Sequence, residues 1–495
     1  MNHWKKLIVP GILLAALIVG LVLVGVLGNE NGGTPTTTKN PLTYVYYVPE
    51  SEVSTLTIEN EHGEMVLERK ETKDATGAVV LQWNVKSPAN PAYAQTSVAD
   101  LVSTVRAMAS VRLITEGEAD LSLYGLDEPA VRATIKKTDG STGTILLGNR
   151  AGSGSNYYAM VEGTDQVHLI GTGVGDTMLR PAMSMLDTTL CSAQYIDLLR
   201  FSITRKADQT TIIANSTPFR DDAGELVELQ WKFDEPLHWA ANTMSIEPVI
   251  QEIIAAKAKE FVAMDVSDAD LADYGLDDPA YRFEVSDANQ TYTITLGAKA
   301  GTTLYYGTSS RIPGAVFVTE TKNFTLVEAP VMEWMNKFVY LANITDVTKI
   351  DLTFDNTKLN IEIDGKSEPN VFKINGKDAD IKDSSGKSYF KSFYQTIIGA
   401  TLEGIDREAN PDLSKAIVKI EYTFREGNPV RVAFVPRDAY SLYAFLDGEY
   451  TGGYVDIEML DDTDFDVGNV LPSGLRTAYQ GMVNAMNKAV DGVFN

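Results

Sequence analysis

Cysteine and histidine are scarce in this sequence. Its 495 residues contain one cysteine, Cys191, and four histidines, which are His3, His62, His168 and His238. A single cysteine excludes an intrachain disulfide bond and any cysteine-rich zinc site. The histidines form neither an H-E-x-x-H motif nor a pair four residues apart on one helix face, so they predict no metal site. We interpret Cys191 as a small buried residue and His238 as a polar loop residue.

Basic residues are also in deficit, with 42 Lys and Arg against 67 Asp and Glu and a net charge of −25. Nucleic-acid binding depends on clustered Lys and Arg, and no such cluster occurs, so nucleic acid is not predicted as a partner. A Walker loop and a G-x-S-x-G elbow are absent too, which argues against nucleotide binding and against a serine hydrolase of that type. The 44% hydrophobic content is typical of a folded protein, and the length suggests about three domains.

One long uncharged run stands near the start of the chain. Residues Leu7–Gly28 span about 33 Å as a helix, close to the thickness of the hydrocarbon core of a membrane. Lys5 and Lys6 precede the run and no charge follows until Glu30, so the positive-inside rule places the N-terminus inside and the rest outside. A cleaved signal peptide is the alternative, although the run is long for one. We predict a single-pass anchor in the cytoplasmic membrane, followed by a flexible spacer over Asn29–Pro41.

An internal repeat organises the remainder. ADLSLYGLDEPA at Ala119–Ala130 matches ADLADYGLDDPA at Ala269–Ala280, and strand-like hairpins precede both copies. A third, diverged copy begins near Val347. We predict three repeat units at residues 42–193, 194–342 and 343–495.

Each unit shows the same succession of patterns. A hairpin is followed by a strand that carries Trp83, Trp231 or, in the third unit, Phe372. A helix, four short strands and a closing amphipathic stretch come next, for instance PVMEWMNKFVYL from Pro330, which we read as a second helix. This order predicts an α+β fold with helices on one face of a largely antiparallel sheet. Apolar residues at helical spacing mark the first helix of each unit: Val98, Leu101, Val102, Val105; Ile246, Val249, Ile250, Ile253; Phe390, Phe393, Tyr394, Ile397.

Serines near the predicted helix starts suggest caps. Ser97 with Asp100 resembles a capping box, and Ser245 and Ser388 stand near the starts of the second and third helices.

The motif Y-G-L-D-x-P has a structural explanation. Gly125 and Gly275 are predicted to end a short helical turn in the left-handed conformation, with the following leucine folding back and the proline preventing continuation. This motif, two strands, a Leu-Gly pair and a Tyr-rich strand resemble the family known as domain of unknown function 4340. The resemblance covers roughly residues 42–342, whereas the third unit has ANPDLSKA and Phe434-Val435 in place of the glycine motifs.

Two loops imitate ligand sites. In VHLIGTGVGDTMLRPAM the glycines precede a helix as in phosphate loops, but the Lys-Ser/Thr pair is missing, so we interpret them as a connector. In DDTDFDVG, alternate aspartates offer oxygen atoms to calcium, but the remaining pattern of an EF-type loop is missing, so we favour a solvated acidic turn over a calcium site. We therefore assign no catalytic, cofactor-binding or metal-ligating residue. The residues concerned are Gly171, Gly173, Gly175, Asp462, Asp464 and Asp466.

The resemblance implies a membrane-anchored exterior protein associated with ABC-type transport systems of the gliding-motility kind, without an assigned activity. We expect a non-enzymatic binding or scaffolding protein whose partner is a membrane protein such as a transporter permease. The alternative is a cell-surface enzyme acting on wall polymer. Tyrosines recur in edge-like strands, and we favour ordinary sheet residues over a carbohydrate- or peptide-binding surface as their role. They are Tyr44, Tyr46, Tyr47, Tyr157, Tyr158, Tyr305, Tyr306, Tyr440 and Tyr443.

Overall fold

The computed structural model describes residues 43–73, 77–152, 154–367, 370–460 and 474–490. The predicted membrane span, the spacer and the three alternating aspartates of DDTDFDVG lie outside these ranges. Among the described residues, no helix is both long enough and apolar enough to cross a membrane. Contacts divide the chain into two compact units, residues 1–81 with 99–179 and residues 82–98 with 180–495.

The first large sheet is formed by eight strands in the order β4-β3-β2-β7-β8-β9-β10-β6, and a two-stranded ladder joins β1 to β5. The elements of this region are β1 (Tyr44–Tyr47), β2 (Val53–Asn60), β3 (Gly63–Lys73), β4 (Val79–Ser87), α1 (Gln95–Arg106), β5 (Ala107–Ala109), β6 (Arg112–Glu116), β7 (Val131–Lys137), β8 (Thr142–Arg150), β9 (Asn156–Val161), β10 (Gln166–Gly171) and α2 (Thr172–Leu179).

The second sheet has nine strands in the order β14-β13-β12-β11-β16-β17-β18-β19-β15. Its elements are β11 (Arg200–Arg205), β12 (Thr210–Arg220), β13 (Leu226–Glu235), β14 (Trp239–Ala240), α3 (Thr243–Ile254), β15 (Glu260–Ala263), β16 (Tyr281–Ser286), β17 (Thr291–Lys299), β18 (Leu304–Ser309) and β19 (Ile312–Glu320).

The third sheet has nine strands in the order β23-β22-β21-β20-β25-β26-β27-β28-β24, which repeats the order of the second. Its elements are β20 (Val347–Phe354), β21 (Thr357–Asp364), β22 (Val371–Ile374), β23 (Lys377–Asp378), α4 (Tyr389–Ile398), β24 (Leu402–Ile405), β25 (Val418–Phe424), β26 (Val430–Pro436), β27 (Ser441–Leu446), β28 (Glu449–Asp456) and α5 (Leu475–Val490).

The strand orders confirm the repetition that the sequence predicts. The first sheet follows the order of the other two and lacks only the outermost short strand, so a largely antiparallel sheet with helices recurs three times. The sequence pattern does not predict one edge strand of each sheet, nor the two-residue strands β14 and β23. β6, β15 and β24 follow the helices and pair at the sheet edge with β10, β19 and β28. They are only 4 or 5 residues long, too short to show a clear alternation.

The three predicted helices are present, and every apolar residue named for them is at most 3% exposed. The predicted caps are correct only in the third unit, where Ser388 Oγ accepts from the Lys391 N–H. Ser97 lies inside α1, which begins two residues earlier, so the proposed capping box is wrong. Asn242, rather than Ser245, caps α3. Helical spacing identifies the buried face, but it leaves the first turn undetermined by one or two residues.

The predicted closing helix from Pro330 is wrong. This stretch forms one 3-10 turn, Val331–Glu333, and then continues as an extended connecting segment. The Asn242 N–H donates to the Trp334 carbonyl at 2.7 Å, and the Leu402 N–H donates to the Lys337 carbonyl at 2.7 Å. The segment therefore pairs first with the residues before α3 and then with those after α4. Trp334, Met335 and Val339 of this extended segment are buried, whereas Phe338 and Leu341 are exposed.

A second connecting segment repeats this arrangement inside the unit of residues 82–98 and 180–495. The Asp187 N–H donates to the Ala92 carbonyl at 2.7 Å, and the Ala258 N–H donates to the Thr188 carbonyl at 2.8 Å. Each connecting segment thus makes backbone hydrogen bonds to a different stretch of chain on either side. These bonds pair its backbone groups in an extended conformation, without a helix.

Candidate functional site: the signature pocket

The two copies of the family-like motif form the same turn. Gly125 and Gly275 have φ of 65° and 64°, in the left-handed region that glycine adopts without strain. Each ends a 3-10 turn, and the next leucine donates its N–H to the carbonyl at the turn's start, from Leu126 to Leu121 at 3.1 Å and from Leu276 to Leu271 at 3.0 Å. Both following leucines are buried. The predicted helix stop is confirmed.

The glycine of the Leu-Gly pair packs against the same turn. A Cβ on Gly148 would lie 2.2 Å from the Tyr124 carbonyl oxygen, and one on Gly297 would lie 2.4 Å from the Tyr274 carbonyl oxygen. Only glycine lets strands β8 and β17 approach the turns this closely. The two halves of the motif are therefore one packing unit.

The motif tyrosines complete this unit. Tyr124 packs edge-on against Tyr158 with ring centroids 4.9 Å apart, and Tyr274 packs likewise against Tyr306 at 5.2 Å. Such pairs prefer the edge-to-face geometry found here. Two of the nine tyrosines that suggested a binding surface thus serve in intramolecular contacts.

A cation occupies one equivalent position in all three sheets. The first residues of β7, β16 and β25 pair with Leu147, Leu296 and Phe434 of the next strand. Three positions after these partners stand Arg150, Lys299 and Arg437. All three lie over a tyrosine ring, at 5.0 Å, 5.7 Å and 5.9 Å from the centroids of Tyr157, Tyr305 and Tyr443. The position is therefore a recurring cation–aromatic contact.

The charge partners of these cations differ. Arg150 pairs with Asp176 at 2.8 Å, and the same carboxylate accepts from the Tyr157 hydroxyl at 2.7 Å. Burial, followed by the hydrogen bond to Asp176, raises the pKa of Tyr157. Arg437 pairs with Asp438 at 3.0 Å and with Asp406 at 3.4 Å. Within the described ranges, Lys299 makes no ion pair.

A pocket of about 650 Å³ opens beside Lys299 in the second sheet. Five of its lining residues are glycine or alanine, and the others are charged residues and tyrosines. We call it the signature pocket, because the motif residues Gly275 and Gly297 line it. The other lining residues are Lys206, Ala207, Asp278, Ala280, Tyr281, Ala298, Lys299, Tyr305 and Glu328.

The polar groups of the signature pocket are arranged by the surrounding elements. Lys206 pairs with Asp278 at 2.6 Å. The Tyr281 hydroxyl donates to Glu328 Oε1 at 3.3 Å, and burial raises the pKa of Tyr281, so this phenol stays protonated at neutral pH. Lys299 is the one lining cation without a carboxylate partner among the described residues.

Buried Arg205 holds the segment that brings Glu328 to the pocket. Its guanidinium donates to the Val327 and Ala329 carbonyls at 3.1 Å and 2.8 Å, and it pairs with Asp208 at 2.7 Å. The corresponding strand end of the first sheet uses Asn60, which donates to the Met178 carbonyl at 3.0 Å. The sequence contains no local signal for these long-range contacts.

A larger groove of about 750 Å³ lies elsewhere in the same compact unit. Polar side chains of β13, including Glu228, Gln230 and Lys232, line one wall, and Phe338 and Leu341 of the connecting segment line the other. We call it the linker groove.

The sequence candidates for chemistry are dispersed. His62 is exposed in a turn, whereas His168 is 5% exposed and its Nδ1 lies 3.0 Å from Ser110 Oγ. His238 lines the linker groove and its Nδ1 lies 3.5 Å from Asp234. His3 is outside the described ranges. Cys191 is 3% exposed, and burial raises the pKa of its thiol, which disfavours the nucleophilic thiolate.

The glycines of the phosphate-loop-like stretch lie at the end of β10 and within α2. A Cβ on Gly175 would lie 2.3 Å from the Tyr157 ring, so this glycine permits the helix to pack there. Across the described part of the chain, no group of three or more His, Cys, Asp or Glu side chains is arranged to hold a metal ion.

Comparison with known protein families identifies the family of this chain. The model of the family described as Domain of unknown function (DUF4340) matches residues 83–224 and 231–401, together more than half of the chain. The chain belongs to this family. The two DUF4340 matches begin at the tryptophans of β4 and β13, and each contains one connecting segment. No curated protein and no solved structure matches the chain.

Proposed function

We propose that this DUF4340 protein is a non-enzymatic binding or scaffolding protein, anchored in the cytoplasmic membrane by residues 7–28 with its repeats outside. Its partner is a membrane protein such as the permease of an ABC-type transporter. The packing role of the motif carries the proposal. Gly148, Gly275 and Gly297 allow close backbone approach, and Gly125 adopts a left-handed φ of 65°, so the glycines of the motif have structural roles.

The uncharged run Leu7–Gly28 and the preceding Lys5 and Lys6 support the anchor and its orientation. The predicted spacer of 13 residues has an average reach of about 20 Å, which keeps the first repeat near the exterior loops of a neighbouring membrane protein. A short tether also raises the effective concentration of the binding surface at that neighbour.

Cross-linking in intact membranes tests this proposal. We expect the anchored chain to capture a membrane-protein partner that mass spectrometry identifies. A matched variant in which a cleavable secretory signal replaces residues 1–28 should lose most of this capture, while its folded repeats stay intact. Equal capture by both forms would contradict the role of the anchor.

Turnover assays with the purified chain address the alternative enzyme. Hydrolysis of a wall glycan or wall peptide, abolished by one acid or histidine substitution, would overturn the proposal. We expect no such turnover.

A further inference from the structure

We propose that the signature pocket of the second sheet binds a ligand that carries a carboxylate group, and that Lys299 is the cation that receives it. The inference deepens the proposed function and rests on it, since it assigns a ligand chemistry to a binding protein. It comes from comparing the same cation position in three copies of one fold.

In two copies the protein itself supplies the anion. Asp176 pairs with Arg150 in the first sheet, and both Asp438 and Asp406 pair with Arg437 in the third. An aromatic ring lies under each cation, and the acid completes the contact. The position is thus built as a cation on an aromatic ring with a carboxylate beside it.

In the second copy no carboxylate among the described residues pairs with Lys299. The segment after β19 forms 3-10 turns where the first copy has the helix α2, and its Glu328 accepts from the Tyr281 hydroxyl. Arg205 fixes the backbone of this segment through the Val327 and Ala329 carbonyls, and the Glu328 side chain contacts the Tyr281 hydroxyl. Lys299 is left exposed above the Tyr305 ring, beside an open pocket.

The rest of the pocket suits a small carboxylate ligand. Its volume of about 650 Å³ lies in the range of small-molecule sites. Lys206 and Asp278 neutralise each other at 2.6 Å, so Lys299 is the cation free to bind an external anion. An ammonium bonded to a carboxylate makes a charge-assisted hydrogen bond, the stronger class of such contacts.

A carboxylate of this kind is found on an acidic sugar or at the end of a peptide. Ligand-observed NMR titrations of the full chain in nanodiscs would use glucuronic acid and N-acetyl-Ala-Ala as probes. Glucose and N-acetyl-Ala-Ala-amide are the matched neutral probes. We expect one acidic probe to bind and both neutral probes to bind at least about tenfold more weakly. The acidic probe that binds identifies the source of the carboxylate.

Two substitutions should act in opposite directions. Lys299→Gln should weaken binding of the acidic probe about tenfold, because it removes the receiving charge. Glu328→Gln should strengthen binding a few-fold, because it removes a like charge from the pocket wall. Lys257→Gln, an exposed change outside the pocket, should leave the affinity unchanged.

Unchanged affinity in the Lys299 variant, or equal binding of acidic and neutral probes, would overturn the inference. Thermal unfolding of each variant verifies that the fold persists. The outcome is separable from that of the proposed function. Cross-linking to a membrane partner does not require this pocket, and a bound acidic probe that is turned over would refute only the non-enzymatic role.

Discussion

The contact between strand β8 and the motif turn allows a quantitative test through Gly148→Ala. The φ of Gly148 lies outside the left-handed region, so the local backbone accepts alanine. The added Cβ, however, would lie 2.2 Å from the Tyr124 carbonyl oxygen, where an ordinary carbon–oxygen contact needs about 3.3 Å. Strand and turn must therefore separate by about 1 Å.

Overpacking of this kind costs about 1–3 kcal/mol, and we expect the upper half of that range because the opposing atom belongs to the backbone. A loss of about 2–3 kcal/mol corresponds to roughly 30- to 150-fold faster amide exchange in segments that open together with this region. Hydrogen exchange with mass spectrometry on the full chain measures this change for peptides of β7, β8 and β9 separately from the other sheets.

Gly152→Ala is the matched control. It lies two residues beyond β8, its added Cβ meets nothing within 4 Å, and its φ is also outside the left-handed region. We expect its effect to stay within about 0.5 kcal/mol. Equal exchange rates for the Gly148 and Gly152 variants would refute the argument that the Leu-Gly pair exists to admit the turn.

Three further outcomes are expected. Arg205→Met should lower the free energy of unfolding by about 2–4 kcal/mol, because two carbonyls and Asp208 lose a buried partner; denaturant titration measures it, and a loss below about 0.5 kcal/mol would contradict the anchoring role. Burial lowers the pKa of His168, so as the pH falls this histidine takes up a proton in the unfolded chain before it does so in the folded chain. The free energy of unfolding should therefore fall as the pH drops below about 6.5. His168→Gln should flatten that dependence in melting curves recorded between pH 5 and pH 7.5, and an equal slope would exclude this histidine. Cys191 should react with a thiol reagent far more slowly in the folded than in the unfolded chain, and equal rates would contradict its burial.

The sequence alone predicts those parts of the fold that depend on neighbours along the chain. Apolar spacing identifies the helix faces that end at Val105, Ile253 and Ile397, because a helix repeats every 3.6 residues. The left-handed glycines 125 and 275 were predictable from the turn chemistry of Y-G-L-D-x-P. The repetition itself follows from aligning the two motif copies, and the membrane anchor remains a prediction from hydrophobicity.

Other features were decided only by the tertiary structure. The edge strands β6, β15 and β24 are too short to show a periodicity, and they form because a neighbouring strand offers its free backbone groups. The stretch from Pro330 has an apolar pattern that suits a helix, but it stays extended since two separate segments pair with it.

The signature pocket likewise depends partly on local sequence and partly on tertiary structure. The sequence contains the lysine at position 299, but that Glu328 turns to Tyr281 rather than to Lys299 depends on a segment fixed by Arg205, far away in the chain. Whether a charge is paired inside the protein is a property of distances between remote residues. Local sequence patterns determine which groups are present, and packing determines which of them remain free to bind.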